Sequence, residues 1–257
     1  MNRAARLHDV LPRWLLRPVE NRFLWQRAIH TLGQTTPGWQ AIALNDAKGE
    51  RVDLQGSSFL AQVKQNAVTT CSGWEYASWP LVAAHQQELR RLFAPSPDYA
   101  APPQDFITSV RGAYDVLVGV LIRQSDYREW MGGKYCFATT QYVQWMRQVM
   151  DLHPGRRVGF VVAADERQDP ALFAGLPFHF TSGAVNTGGP WFRSWVELSL
   201  CDFVLSPPST FSATASFVGG RPLWPLSDLA QTLNFDQMLP NGLLGAAAHP
   251  AFSCAVK

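Results

Sequence analysis

Charge and cysteine are both scarce in this sequence. Charged residues make up 16% of the 257 positions, and the formal net charge is only +2. Because nucleic-acid-binding proteins usually concentrate basic residues on one face, this balance argues against nucleic acid as a partner. The four cysteines form no C-x-x-C pair and have no histidine at metal-ligand spacing. This pattern favours reduced thiols in a cytoplasmic protein over disulfides or a zinc site.

Long apolar runs and several signature motifs are also missing. No run reaches the roughly 18 residues of a membrane span, and the N-terminus lacks the apolar core of a signal peptide. There is no G-x-G-x-x-G after a strand, no Walker A loop, no G-x-S-x-G and no H-E-x-x-H. No Asp-x-Asp triplet occurs, which argues against a nucleotide sugar held through a chelated metal. We therefore expect no metal site and no cofactor.

The first 30 residues interleave arginine with leucine, phenylalanine and tryptophan. Two interpretations of this segment remain open. A basic amphipathic segment would lie on an anionic membrane surface and bring the protein to the inner face of the membrane. A pair of helices packed on the protein body, with their arginines in solvent, would leave it in the cytoplasm. The arginines are Arg3, Arg6, Arg13, Arg17, Arg22 and Arg27.

The clearest change of composition is the proline-rich stretch 94–103, A-P-S-P-D-Y-A-A-P-P. Because proline interrupts helices and central strands, this stretch predicts a linker or an extended loop. We accordingly expect two domains, residues 1–103 and residues 104–257. A helical pattern at 81–93 precedes the stretch.

After the proline-rich stretch, apolar runs alternate with amphipathic segments. Strands are predicted at 116–122, 157–164, 177–180, 202–205 and 222–225. Helices are predicted at 106–114, 140–152 and 170–174, from Pro190 onward, and from the cap Ser209 to Gly219-Gly220. Such alternation is typical of βαβ units, so the sequence predicts an α/β fold with a parallel sheet.

Ligands of open parallel sheets bind beyond the carboxyl ends of the strands, which singles out the residues after each apolar run. Arg123 follows the first strand, and a guanidinium there can hold a phosphate through two parallel hydrogen bonds. The alternative is a salt bridge to Asp126 or Glu129. Ser209 or Thr210 opens a helix whose first N–H groups can bind an anion. The alternative is an ordinary helix cap.

Six further residues are weaker candidates. The pair Asp165-Glu166 ends the second apolar strand and either accepts hydrogen bonds from a base or ribose or belongs to a surface loop. The pair Gly132-Gly133, beside Tyr135, either lets the backbone approach a ligand or acceptor closely or forms a plain turn. Glu197, on a helix, is a candidate residue for the acceptor side of the site. Its alternative is a solvated ion pair with Arg193, four residues earlier.

Three stretches resemble motifs of the α1,2/α1,6/protein O-fucosyltransferase superfamily. I-R-Q-S-D-Y at 122–127 resembles the HxRRxD(Y) motif. V-V-A-A-D-E at 161–166 resembles the intervening strand with its acidic loop. C-D-F-V-L-S-P-P-S-T-F-S-A-T-A-S at 201–216 resembles the later motif, in which a strand runs into a Ser-Ser/Thr helix start. The stretches G-G-K-Y at 132–135 and G-W-E-Y at 73–76 are similar to those of uncharacterised bacterial fucosyltransferase-like proteins.

The resemblance implies a GT-B fold. Residues 104–257 would form a Rossmann-type domain that binds the nucleotide-sugar donor, and residues 1–103 would form a reduced acceptor side. The resemblance also implies that Arg123 binds the donor diphosphate and that Asp126 orients that arginine.

Further site residues are implied by the same resemblance. Ser209 and Thr210 match the phosphate-side hydroxyls of the family, and Phe211 follows them in the same helix start. All three are therefore expected at the donor, as are Asp165 and Glu166.

We predict a metal-independent, inverting glycosyltransferase that moves a sugar from a nucleoside diphosphate donor to a glycan or glycolipid acceptor. GDP-fucose is the first candidate donor. Asp126, Glu129 and Glu197 are candidate general bases. Leu121 and Gln124 stand where the family has a histidine and a second arginine. They motivate an alternative, a noncatalytic nucleotide- or glycan-binding protein that retains the fold.

Overall fold

The computed structural model describes residues 31, 35–43, 52–72 and 76–242. The first 30 residues, with their two open interpretations, lie outside the described residues. The described residues up to Ser78 belong to one compact unit, and those from Trp79 onward belong to a second. In the described residues, no helix combines the length and hydrophobicity that a membrane span requires.

The first unit contains two short parallel strand pairs and a helix. Strand β1 (Trp39–Ala43) pairs with β3 (Val68–Ser72), and β2 (Val52–Asp53) pairs with β4 (Tyr76–Ala77). Helix α1 (Ser57–Gln65) contacts β3.

Three helices open the second unit: α2 (Trp79–Ala84), α3 (Gln86–Phe93) and α4 (Pro97–Arg111). The extended conformation predicted for the proline-rich stretch is wrong over residues 97–103, which form the first half of α4. Pro97 stands at the start of the helix, where a missing N–H group costs nothing. Pro103 is buried, and α4 packs on a later helix of the unit. The second compact unit begins at Trp79, whereas the sequence predicted a domain boundary after residue 103.

A parallel sheet forms the centre of the second unit. Its strands are β5 (Val116–Ile122), β6 (Val158–Ala164), β7 (Phe178–Phe180), β8 (Phe203–Ser206) and β9 (Leu223–Pro225). Their spatial order is β7-β6-β5-β8-β9, with every neighbouring pair parallel. Counted along the chain, this is the order 3-2-1-4-5 of the Rossmann dinucleotide-binding sheet. The predicted α/β fold with a Rossmann-type parallel sheet is confirmed.

Helices cover both faces of the sheet. They are α4 together with α5 (Thr139–Asp151), α6 (Trp191–Leu200) and α7 (Thr210–Gly219). Even-numbered residues of β5, such as Val118 and Val120, pack in one cluster with Trp145 of α5. Odd-numbered residues face the other side, where Leu121 packs with Leu198 of α6. Because both faces are covered, all seven residues of β5 are buried, which explains its continuous apolar sequence.

Candidate functional site

The carboxyl ends of β5 and β8 meet at the point where the chain changes direction across the sheet. From β5 the chain continues to β6 and β7 on one side, and it returns to β8 on the other side. The loops that leave β5 and β8 therefore diverge and leave a crevice at this edge. In open α/β sheets such a switch point is where ligands bind. Arg123 follows β5, and Ser209 follows β8 by three residues.

Arg123 is partly buried at the crevice, with 27% of its side chain exposed. Its Nη2 donates to Asp126 Oδ1 at 2.7 Å, so the salt bridge left open by the sequence is present. Its Nε lies 3.5 Å from Asp165 Oδ2, too poorly aligned for a hydrogen bond. Among the described residues, Nη1 has no hydrogen-bond partner. The guanidinium is thus oriented by two carboxylates but retains N–H groups for a further anion.

Asp165 holds the loop that carries Arg123. Its carboxylate accepts hydrogen bonds from the backbone N–H groups of Gln124 and Ser125, at 3.0 and 3.2 Å, and from the Ser125 hydroxyl at 2.6 Å. These bonds join the end of β6 to the end of β5. The role predicted for Asp165, contact with the base or ribose of a donor, stays a prediction.

Glu166, the second predicted acid, forms an ion pair with Arg128 through both carboxylate oxygens. This pairing lowers the pKa of Glu166. Both oxygens of Glu166, which follows β6, therefore already have a partner in the loop after β5. A contact between Glu166 and a donor stays a prediction as well.

Helix α7 presents its N-terminus to the same crevice. Ser209 is the N-cap, and its Oγ accepts a hydrogen bond from Phe211 N at 3.2 Å, so the predicted cap is confirmed. Thr210 is the first helical residue and is exposed. The Ser206 hydroxyl donates to Ser212 Oγ at 2.7 Å, which fixes the end of β8 to the first turn of α7. This end carries the partial positive charge of the helix dipole.

Tyr127 connects the two sides of the crevice. It lies in a short 3₁₀ segment, Asp126–Arg128, and is only 6% exposed. Its hydroxyl donates to the carbonyl oxygen of Pro208, the residue before Ser209. Burial raises the pKa of Tyr127 to about 12, so the hydroxyl keeps its proton at neutral pH. In the sequence, Tyr127 is the last residue of the motif-like stretch 122–127, and no local pattern predicts its contact with Pro208.

A network of amide side chains, which the sequence did not predict, supports the loops. Gln168 is buried at 4% exposure, and its Nε2 donates to Gln124 Oε1 at 3.0 Å. Thr139 Oγ1 donates to Gln168 Oε1 at 2.6 Å. Asn186 bonds both the N–H and the carbonyl group of Gln168. The loops after β5, β6 and β7 are thereby joined.

The pair Gly132-Gly133 forms a tight turn. Gly132 and Gly133 have φ values of 66° and 79°, in the left-handed region that favours glycine. A Cβ on Gly133 would lie 3.1 Å from the carbonyl oxygen of Arg128. Tyr135 is fully buried and packs against Trp130, with ring centroids 5.5 Å apart. It belongs to the hydrophobic core rather than to an open acceptor surface.

Glu197 is fully buried on α6, so the solvated ion pair that was its alternative is wrong. Its carboxylate accepts hydrogen bonds from the backbone N–H of Ser182, at 2.9 Å, and from the Ser182 hydroxyl. Burial raises the pKa of Glu197 to about 7. The structure thus brings Arg123, Asp126 and Asp165 together, whereas the hydrogen bonds of Glu197 go to the loop after β7.

No group of three or more histidine, cysteine, aspartate or glutamate side chains suited to a metal ion occurs within the described ranges.

No protein-family model and no curated protein matches the sequence. Solved structures do resemble the chain. One is a mutant of Arabidopsis thaliana FUT1 in complex with GDP, with a TM-score of 0.47 and 12% identity over 73% of this chain and 49% of that one. Two others are crystal structures of POFUT1 in complex with GDP, both with a TM-score of 0.42. All three neighbours are fucosyltransferases.

The POFUT1 structures share 13% and 12% identity with the chain. They match 63% and 65% of this chain and 55% and 57% of POFUT1. The chain therefore spans about half the length of the fucosyltransferases it resembles. A likeness of this extent shows nothing about activity. Only the residues of the crevice bear on the activity of this protein.

Proposed function

We propose that the protein is a glycosyltransferase that uses a nucleoside diphosphate sugar as donor, with GDP-fucose as the first candidate, and a glycan or glycolipid as acceptor. One observation carries the proposal: Arg123 and the N-terminus of α7 flank the same crevice at the switch point of a Rossmann-type sheet. A guanidinium and a helix N-terminus that face one gap are suited to a diphosphate.

Transfer of a sugar leaves negative charge on the departing diphosphate. Donors fixed in place before the reaction stabilise such charge without having to reorganise. Arg123 would neutralise one phosphate, and the first N–H groups of α7 would bind the other. Asp126 does not block this role, because its side chain is 61% exposed. An exposed ion pair is worth about 0–1 kcal/mol, whereas a charge-assisted hydrogen bond to phosphate is worth about 1.5–3 kcal/mol.

A second candidate function is a noncatalytic protein that binds a nucleotide or glycan. Two positions favour it. Leu121 is buried at 3% exposure and offers the crevice no polar group. The Gln124 amide is taken up by internal bonds, since Nε2 donates to the carbonyl oxygen of Phe137 at 2.9 Å. Neither side chain, as placed, adds to the binding of a phosphate or a base.

Calorimetric titration separates these candidates when it is paired with an assay of donor hydrolysis. The titrants are GDP, UDP, ADP, GDP-fucose and guanosine. We expect diphosphates to bind and guanosine to bind much more weakly, with slow hydrolysis of one nucleotide sugar. Binding without any turnover, even with a panel of glycan acceptors, would favour the second candidate. If none of the diphosphates binds, both candidates in their nucleotide form are wrong.

The acceptor-side role of residues 1–103 and the membrane contact of the first 30 residues are part of the same proposal. Flotation with anionic and neutral liposomes tests the membrane contact. We expect flotation with anionic vesicles only, and its loss when the six arginines of this segment are replaced by glutamine.

A further inference from the structure

Tyr127 contacts both sides of the proposed diphosphate site, Arg123 on one side and the residue before the α7 cap on the other. The Arg123 guanidinium carbon lies 5.2 Å from the centroid of the Tyr127 ring. The hydroxyl at the other end of the ring donates to the carbonyl oxygen of Pro208. Trp130 packs against the ring with centroids 4.7 Å apart, which limits its movement. One rigid side chain thus spans from the cation after β5 to the peptide bond before the α7 cap.

We infer that Tyr127 is a positioning residue that sets the separation of Arg123 from the N-terminus of α7, so that both reach one diphosphate. The inference rests on the proposed function. The carbonyl that accepts the bond belongs to the Pro208–Ser209 peptide unit. Rotation of this unit would turn the Ser209 cap and the first N–H groups of the helix away from Arg123. The hydroxyl bond opposes that rotation.

The chemistry of the contact suits a permanent link. A carbonyl oxygen can only accept, and the Tyr127 hydroxyl, buried and with a raised pKa, remains a donor at neutral pH. A buried carbonyl left without its donor is unfavourable, so removal of the hydroxyl should shift the helix start. The ring itself would stay beneath Arg123. The substitution Tyr127→Phe therefore separates the link to α7 from the cation–π contact.

The test is a double-mutant cycle on GDP binding, measured by calorimetry on the full chain. The four proteins are the wild type, Tyr127→Phe, Arg123→Ala and the double variant. We expect Tyr127→Phe to weaken GDP binding about tenfold in the wild-type background, since a misplaced charge-assisted contact costs that order of affinity. In the Arg123→Ala background the same change should have an effect of less than about twofold, because no cation remains to be aligned.

A matched control removes a tyrosine hydroxyl at the other edge of the sheet. The Tyr114 hydroxyl lies 3.1 Å from His179 Nε2, just before the amino end of β5. Tyr114→Phe should leave the dissociation constant for GDP unchanged. Thermal unfolding of all variants, followed by circular dichroism, shows whether each protein is folded at the temperature of the titration.

The outcomes distinguish this inference from the proposed function. If the wild type binds GDP and Tyr127→Phe binds it equally well, the inference is wrong while the proposed function stands. The same holds if the effects of Tyr127→Phe and Arg123→Ala are additive, because additivity indicates a general structural role. If the wild type binds none of GDP, UDP and ADP, the proposed function is wrong and the inference falls with it.

Discussion

The carboxylate of Asp165 accepts hydrogen bonds from the backbone N–H of Gln124, at 3.0 and 3.2 Å. Asp165 follows β6, and Gln124 follows Arg123 at the end of β5. An acid that the sequence predicts as a donor contact therefore fixes the conformation of the arginine loop. Any donor contact it also makes would be additional to this role.

Replacement of Asp165 should destabilise the protein whether or not a ligand is present. Asp165→Asn keeps the shape but removes the charge from three hydrogen bonds. We expect the free energy of unfolding to fall by about 1–3 kcal/mol, because hydrogen bonds to charged groups are the stronger ones. Urea unfolding measures this change. Asp169→Asn is the control. Asp169 is the exposed N-cap of a short 3₁₀ segment, and because Asp and Asn are equivalent caps, this substitution should leave the free energy of unfolding unchanged.

Removal of the Arg123 guanidinium should weaken diphosphate binding without unfolding the protein. We expect Arg123→Ala to weaken GDP binding by about 10- to 100-fold, the equivalent of one or two charge-assisted hydrogen bonds. Arg123→Lys should recover only part of the affinity, because an ammonium group lacks the planar pair of donors. Arg157, which pairs with Asp115 at the opposite edge of the sheet, is the matched arginine. An equal loss with Arg157→Ala would show that only the net charge matters.

Ser209, the cap of α7, should contribute more to the free energy of unfolding than Ser96, the serine that precedes α4. Ser209→Ala removes the acceptor for Phe211 N and should lower the free energy of unfolding by about 0.5–2 kcal/mol, whereas Ser209→Gly should cost only a few tenths. Ser96 precedes α4 in the same cap position but makes no side-chain cap bond. Ser96→Ala should therefore be close to neutral. Chemical denaturation of the three variants tests the difference, and equal costs at both caps would contradict it.

Glu197 should make stability depend on pH near neutrality. Burial raises its pKa to about 7 in the folded protein, against an ordinary value of 4.5. Between these values the folded state holds a proton that the unfolded state has released, so stability falls as the pH rises and then levels off above about 7. The loss should be on the order of 1–3 kcal/mol, since one pKa unit corresponds to about 1.4 kcal/mol.

The variant Glu197→Gln isolates this effect. Across pH 5 to 8, the melting temperature of the wild type should fall relative to that of Glu197→Gln. Asp105→Asn serves as the control, because Asp105 is exposed on α4, and the melting temperature of this variant should run parallel to that of the wild type across the range. Parallel curves for the wild type and Glu197→Gln would show that Glu197 does not titrate in this range.

Gly119, in the middle of β5, should not tolerate a side chain. A Cβ there would lie 2.8 Å from Leu198 Cδ2 and 3.4 Å from Cys201 Cβ, so the buried Leu198 side chain would have to move. We expect Gly119→Ala to cost about 1–3 kcal/mol of stability. Gly112, after α4, has φ −60° and open space around it. Gly112→Ala should be neutral or stabilising by about 0.4–1 kcal/mol, and denaturant midpoints for the pair test the contrast.

The local elements of this fold follow from the sequence alone. Continuous apolar runs predicted β5 and β6, because a strand covered on both faces needs apolar side chains at every position. The Ser209 cap and the stop at Gly219-Gly220 predicted α7, since both act within one helical turn. The residues of the candidate site were then chosen from strand ends, which is again a local property.

Tertiary structure decided what those residues contact. The order β7-β6-β5-β8-β9 places Arg123 beside a helix that begins 87 positions further along the chain, and no periodicity encodes that distance. The bond of Tyr127 to Pro208, the burial of Glu197 and the helical prolines of α4 have the same origin. Each depends on which segments pack together, whereas sequence periodicity reports only which face of a segment is buried.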